Sequence, residues 1–245
     1  MNKVALVTGG AVRLGKEIAL HLGKSGYDIA LHYNSSQEAA AQSQTEIKNL
    51  GVDCRLFSAD LARENDLIKR VVDSFSRCDL LINSASWYYQ SNIRSTDQDS
   101  LTRAFNVNVK APFLLCRDFA NLCKTGNIIN ILDNKIKFNQ YEYAAYLLSK
   151  KSLAELTLIA AIEFAPEIRV NGISPGVVMP MSSRPAEYIE WRLETIPLKK
   201  MGNAGNIMQG IDYILNNDFV SGQILTIDGA ENENHIGRNA AEYGL

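Results

Sequence analysis

Tyr146 and Lys150 stand four residues apart in Tyr146-Leu-Leu-Ser-Lys150, about one helical turn, so a helix carries both on one face. A free tyrosine is a poor acid or base at neutral pH because its pKa is about 10. A neighbouring ammonium favours the phenolate and lowers that value towards the working range. The chain has 10 tyrosines, so this spacing arises readily by chance. Its weight comes from its place, at the start of the helix that follows the fifth strand of a nucleotide-binding sheet. Asp133 closes that strand in Asn130-Ile-Leu-Asp133. A carboxylate there pushes the phenol's pKa up and opposes Lys150, which suits a reduction in which Tyr146 must deliver a proton. The two groups are expected to titrate as a coupled unit.

The second chemistry-bearing stretch is the amino-terminal Val4-Ala-Leu-Val-Thr-Gly-Gly-Ala-Val-Arg-Leu-Gly-Lys-Glu-Ile-Ala19. Residues 4–7 form a short apolar run of the kind a buried parallel strand makes, and Thr8, Gly9 and Gly10 break it. Leu14, Ile18, Ala19 and Leu22 then recur at helical spacing. Strand, glycine turn and helix in that order aim free helix N–H groups at the strand's carboxyl end, where a dinucleotide pyrophosphate binds. Gly9 allows the sharp turn, and Gly15 is expected to keep the first helical turn low enough for phosphate to approach. Arg13 stands where a third glycine is usual, and its guanidinium suits a phosphate-binding helix start.

The elements that hold these groups follow from the apolar runs: strands are expected over 27–33, 54–57, 79–83, 127–132, 169–173 and 222–227, after the first at 4–7. Helices are expected over 38–50, 64–75, 99–123, 143–164 and 204–216. The near-perfect alternation predicts an α/β fold, a doubly wound parallel seven-stranded sheet of Rossmann type in a single domain over 1–245. The one irregular stretch, 175–201, holds four of the six prolines and follows strand six. Its position at the sheet's carboxyl edge predicts a substrate lid over about 176–201.

Composition narrows the class. A 245-residue chain with 46% hydrophobic and 21% charged residues buries an ordinary globular core. A net charge of −2 offers no basic footprint for nucleic acid or anionic membrane. No apolar run spans a bilayer, and the first strand begins almost at Met1, so the expected location is cytoplasmic. Cys54, Cys78, Cys116 and Cys123 form no C-x-x-C pair and read as reduced, mostly buried thiols. His21, His32 and His235 have no ligand spacing, so no metal site is expected.

Ligand groups in such a sheet gather at the carboxyl ends of the strands. Those ends supply Gly9, Arg13, Leu14 and Gly15; then His32, Tyr33, Asn34, Ser35 and Ser36; then Asp60 and Leu61. Next come Asn83, Ser84, Ala85 and Ser86, then Asp133, then Pro175 and Gly176. Together with Asn108-Val109 and Tyr146-x-x-x-Lys150, this pattern resembles the short-chain dehydrogenase/reductase family over nearly the whole chain. The resemblance implies NAD(P)-dependent oxidoreduction, with Asn108, Tyr146 and Lys150 as three members of a catalytic tetrad. It also implies that Lys150 binds the nicotinamide ribose and Asp60 meets the adenine.

The family's fourth member is a serine at the end of strand five, where this chain has Asp133; no Ser or Thr occurs between Ile128 and Ala145. Asp133, Arg13, the His32-Tyr33 segment and Tyr88 two residues past Ser86 resemble the pteridine reductase branch. That branch implies a flat nitrogen heterocycle held by Arg13, Ser86, Tyr88, Asp133 and Tyr146, with Tyr88, in Trp87-Tyr88-Tyr89, stacking on it. No acid follows strand two until Glu38, which disfavours NAD(H); Ser36 matches the NADP(H) readers, with His32 and Asn34 as hydrogen-bond donors. The leading expectation is NADPH-dependent reduction of a dihydropteridine of the dihydromonapterin, dihydrobiopterin or dihydrofolate type. The alternatives are a carbonyl or 3-oxoacyl-thioester reductase and, from another class, a catalytically silent dinucleotide sensor. Family resemblance further implies a homotetramer, or a dimer, built through the two long helices. The polar tail over 230–245 is read as a possible cap on a neighbour's site.

Overall fold

A computed structural model of the chain describes residues 1–63, 66–181, 183–234, 236 and 238–244. Seven parallel strands form one sheet in the order β3-β2-β1-β4-β5-β6-β7. They are β1 (Val4–Val7), β2 (Asp28–Tyr33), β3 (Cys54–Ser58), β4 (Leu80–Asn83), β5 (Gly126–Ile131), β6 (Ile168–Pro175) and β7 (Ile224–Ile227). The early crossovers are α1 (Arg13–Lys24), α2 (Gln37–Lys48) and α3 (Leu67–Phe75). The later ones are α4 (Gln98–Phe105), α5 (Ala111–Cys123), α6 (Ala144–Glu163), α7 (Ala186–Leu193) and α8 (Ala204–Asn216).

Both faces of the sheet are covered, which is why β1 and residues 80–82 of β4 read as unbroken apolar runs and both strands lie wholly buried. On one face Ile29, Leu31 and Ile129 pack against Ile18 and Leu22 of α1 and Ile207 of α8. On the other, Leu6 and Ile128 pack against Ile68 of α3 and Leu115 and Phe119 of α5. The chain winds outward in both directions from β1 and β4, so their carboxyl ends open a crevice at the reversal point.

Three segments differ from the sequence expectation. The helix expected over 99–123 is α4 and α5 joined by a π-helical turn, Asn106–Lys110, because Pro112 at the start of α5 has no N–H to give to the ladder. The stretch over 176–201 is not merely irregular but contains α7. The tail, which the sequence marks only as polar, forms α9 (Glu231–Asn234) and α10 (Ala240–Tyr243) and packs Tyr243 against Tyr188 and Trp191 of α7. The helix expected over 64–75 is α3, and residues 64 and 65 and His235 lie outside the described residues. No described helix is long and apolar enough to cross a membrane.

Candidate active site

The crevice holds a cavity of about 710 Å³, within the range of small-molecule sites. One end is made by the turn between β1 and α1. Gly9 sits at φ +63°, and its N–H donates to His32 Nδ1 at 3.1 Å. That bond makes Nδ1 the acceptor, so Nε2 carries the proton and donates to the Ala59 carbonyl at 3.1 Å. Buried Thr8 joins the ends of β1 and β4: its hydroxyl accepts from the Ser84 and Ala85 N–H groups, each at 3.0 Å. The first turn of α1 has neither a side-chain cap nor an acidic residue, leaving its N–H groups to an anion. Arg13 is held at φ +50°, a conformation that disfavours a side chain, at the edge of this cradle. Its guanidinium donates to the Met179 carbonyl at 2.6 Å. These features fit a dinucleotide phosphate. Gly15 is needed for a different reason from the one expected: a Cβ there would lie 2.2 Å from the Gly9 carbonyl oxygen, so it lets the turn close on itself.

The middle of the cavity carries the reactive groups. Tyr146 Oη donates to Asp133 Oδ2 at 2.8 Å. The other carboxylate oxygen accepts from the Lys135 N–H at 2.9 Å, opening a 3-10 turn, Asn134–Lys137, that fixes the carboxylate. Burial and the adjoining Asp133 push the Tyr146 phenol well above its ordinary value. Lys150 is buried with its Nζ donating to the Ile131 carbonyl at 2.8 Å and lying 6.0 Å from the centre of the Tyr146 ring. Burial lowers Lys150 to about 8, against an opposing pull from Asp133. The expected lowering of Tyr146 by Lys150 is therefore overridden, and the phenol is a proton donor across the neutral range. Tyr88 meets Tyr146 edge-on at 4.8 Å and stacks on Tyr143 at 5.1 Å, which fixes its ring at the wall of the cavity.

The far end belongs to the segment after β6. Val177 to Met181, Tyr188 and Arg192 line it. Arg192 donates to Glu231 at 2.5 Å, with side chains 7% and 1% exposed, and Asn134 Nδ2 donates to the other Glu231 oxygen at 2.8 Å. The tail thus ties α7 to the 3-10 turn behind Asp133.

Several expected site residues act through others. His32 is no ligand donor: both ring nitrogens are bonded inside the protein, beneath the glycine turn. Asn83 is buried and donates to Asn130 Oδ1 at 2.8 Å. Asn108 is buried in the π-helical turn, where its amide holds both the N–H and the carbonyl of Trp87 and donates to Ser149 at 2.9 Å. It positions the segment bearing Tyr88 rather than touching the cavity. Tyr33, Asn34, Ser35 and Ser36 lie at the outer end of β2 and, like Asp60 and Leu61, outside this cavity. Gly9, Arg13, Leu14 and Gly15 line it at one end, Ser84, Ala85 and Ser86 along one side, and Pro175 and Gly176 opposite. Lys135 and Tyr143 also belong to the site and carry no motif, and Tyr188 and Arg192 are signalled in the sequence only by the lid expected over 176–201. Burial pushes the Cys54 and Cys116 thiols up to about 12, which removes them as nucleophiles.

The family model described as short chain dehydrogenase matches residues 3–187, and the chain belongs to that family of oxidoreductases. An uncharacterized oxidoreductase of Thermotoga maritima is 28% identical over 93% of this chain and 96% of its own length. A 3-oxoacyl-[acyl-carrier-protein] reductase of Staphylococcus epidermidis is 29% identical over 94% of this chain and 98% of its own. Among solved structures, FolM alternative dihydrofolate reductase 1 from Brucella canis, complexed with NADP, superposes with a TM-score of 0.90 at 29% identity. The match covers 95% of this chain and 94% of that one.

Proposed function

We propose that the chain is an NADPH-dependent reductase that sends hydride to a dihydropteridine and releases the tetrahydro form. The observation that carries this reading is the 2.8 Å bond from Tyr146 to Asp133, a proton-holding phenol on a carboxylate where the family has a hydroxyl. The likeness to an alternative dihydrofolate reductase bound to NADP supports it. The uncapped start of α1 and Gly9 would hold the cofactor's phosphates, with Arg13 at the edge of the cradle. Ser36, at the uncapped start of α2, lies on the side of the adenine ribose. Bound NADPH supplies the hydride. Tyr146, directly or through water, delivers the proton to the ring nitrogen, Asp133 orients it and keeps it protonated, and Tyr88 supplies a flat wall for the heterocycle. The segment over 176–201 closes over the bound pair, with Arg13 as its latch on Met179. Exposed Phe113 and Leu122 on α5 and Leu148, Ile159 and Ile162 on α6 support assembly into a homotetramer through those helices.

Reduction of a 3-oxoacyl thioester is the second reading, favoured by the 29% identity to such a reductase. A carbonyl oxygen there needs a hydrogen-bond donor, and Asp133 accepts instead. NADPH oxidation on adding dihydrobiopterin, dihydrofolate or acetoacetyl thioester, repeated with NADH, tests both readings. The pteridines with NADPH are expected to turn over, and turnover of the thioester alone overturns the proposal. Asp133→Asn is expected to lower pteridine turnover at least about tenfold while the NADPH Kd stays unchanged. Near-wild-type turnover in that variant removes the basis of the pteridine reading.

A further inference from the structure

Lys135 has no part in the steps above, yet its placement is costly. The residue is 8% exposed and lines the cavity next to Asp133. Among the described residues its ammonium makes no hydrogen bond or ion pair, and its neighbour is the face of the Tyr143 ring at 5.1 Å. An ammonium on a mostly buried residue is poorly solvated, and one that lines a ligand cavity without an ion pair is placed to meet an anion bound there. Burial lowers its pKa against the longer-range pull of Asp133, Glu231 and Glu242.

The rest of the lining shows what that something is. Arg13, Lys135, Lys150, Arg184 and Arg192 line the cavity against a single described acid, Asp133. Arg13 is bonded to Met179, Lys150 to Ile131 and Arg192 to Glu231. Lys135 and Arg184 make no close ion pair among the described residues, each held against a tyrosine face, with Asp133, Glu231 and Glu242 acting on Lys135 only at longer range. Tyr188, under Arg184, is buried and lines the same end.

We propose that Lys135, with Arg184 of the same cavity, forms a subsite for an anionic substituent on the substrate, so that the chain prefers a dihydropteridine whose side chain carries carboxylate over one with a neutral side chain. This rests on the pteridine reading and assigns it a substrate class. Lys135 is then a specificity-determining residue: it fixes the tail, while Tyr146 and Asp133 act on the ring.

The test uses Lys135→Met, which keeps the stem and removes the charge, and Lys135→Arg. With NADPH, Lys135→Met is expected to raise KM for dihydrofolate at least tenfold, with kcat changed less than twofold. KM for dihydrobiopterin is expected to move less than twofold, and Lys135→Arg to restore most of the dihydrofolate affinity. Equal effects on both substrates, or none, overturn the subsite. A second arm is independent of turnover: calorimetric binding of p-aminobenzoylglutamate, the anionic tail without the pterin. It is expected to bind the wild type and to lose at least tenfold in Lys135→Met, and equal or absent binding overturns the subsite. If neither pteridine is reduced but this fragment binds through Lys135, the pteridine reading fails and the anion subsite stands. The melting temperature of Lys135→Met is expected to equal or exceed that of the wild type; a clear fall shows the ammonium to be paired within the fold and overturns the proposal.

Discussion

The two ends of the cavity are built by opposite rules. At the β1–α1 end the contacts offered to a ligand are mainly backbone N–H groups, with Arg13 at their edge, and the other polar side chains nearby are bonded inward: His32 to Gly9 and Ala59, Thr8 to Ser84 and Ala85, Asn108 to Trp87. At the other end side chains do the contacting: Asp133 with Tyr146, Lys135 against Tyr143, Arg192 with Glu231. The first end is assembled from neighbouring strands of a buried parallel sheet, whose geometry is fixed by the pairing itself. The second joins β5, α7 and the tail, segments far apart in sequence, so its shape depends on a few ionic and aromatic contacts. A rigid backbone cradle suits a cofactor part that never varies, and a side-chain-built end suits a substrate that does.

The sharpest way to break the second end is to remove a charge from its buried ion pair. In Glu231→Gln the Arg192 guanidinium is left 7% exposed with no counter-charge. Breaking such a pair costs about 3–5 kcal/mol, and for a chain of this size the melting temperature is expected to fall by on the order of 10 °C. The lid contacts of α7 loosen with it, so pteridine KM is expected to rise while the NADPH Kd holds. A thermal melt and a cofactor titration check both. An unchanged melt shows that the tail does not anchor the lid.

The same contrast governs what the sequence discloses. The glycine turn, the strand alternation and Tyr146 with Lys150 were legible because each is a local pattern: a period, a spacing, a break. Asp133 was legible as a departure from such a pattern, and its bond to Tyr146 follows from its place at the end of β5. Lys135, Tyr143 and the Arg192–Glu231 pair were not, because nothing local marks a residue whose meaning comes from a partner 39 positions away. His32 misleads in the opposite sense. Its position at the carboxyl end of β2 suggests a cofactor donor, and only the fold reveals that the ring is spent holding the turn.

His32→Phe sharpens that point with a smaller effect. The substitution leaves the Gly9 N–H and the Ala59 carbonyl without their ring partners. Each buried unpaired group costs about 1–3 kcal/mol, felt in the geometry of the turn. Affinity for NADPH and NADH is therefore expected to fall by the same factor, read by fluorescence titration of both. A loss confined to NADPH returns His32 to the role of phosphate reader and breaks the account in which its ring serves only the turn.

The smallest expected effect concerns Lys150, which sits where the two ends meet. Its ammonium titrates at about 8, below the ordinary lysine value of 10.5, because burial disfavours its charge. It is therefore protonated below that pH and neutral above it, while Tyr146 keeps its proton throughout. The kcat/KM for pteridine reduction reports groups of the free enzyme, so it is expected to be flat towards neutrality and to decline as pH rises through about 8. Asp133 holds the Lys150 value up, so in Asp133→Asn the decline is expected to begin at lower pH, on top of the loss in rate. A pH–rate profile of both proteins reads the shift directly. If the two midpoints coincide, the carboxylate acts on Tyr146 alone and the coupling between the substrate side and the cofactor side through Lys150 is absent.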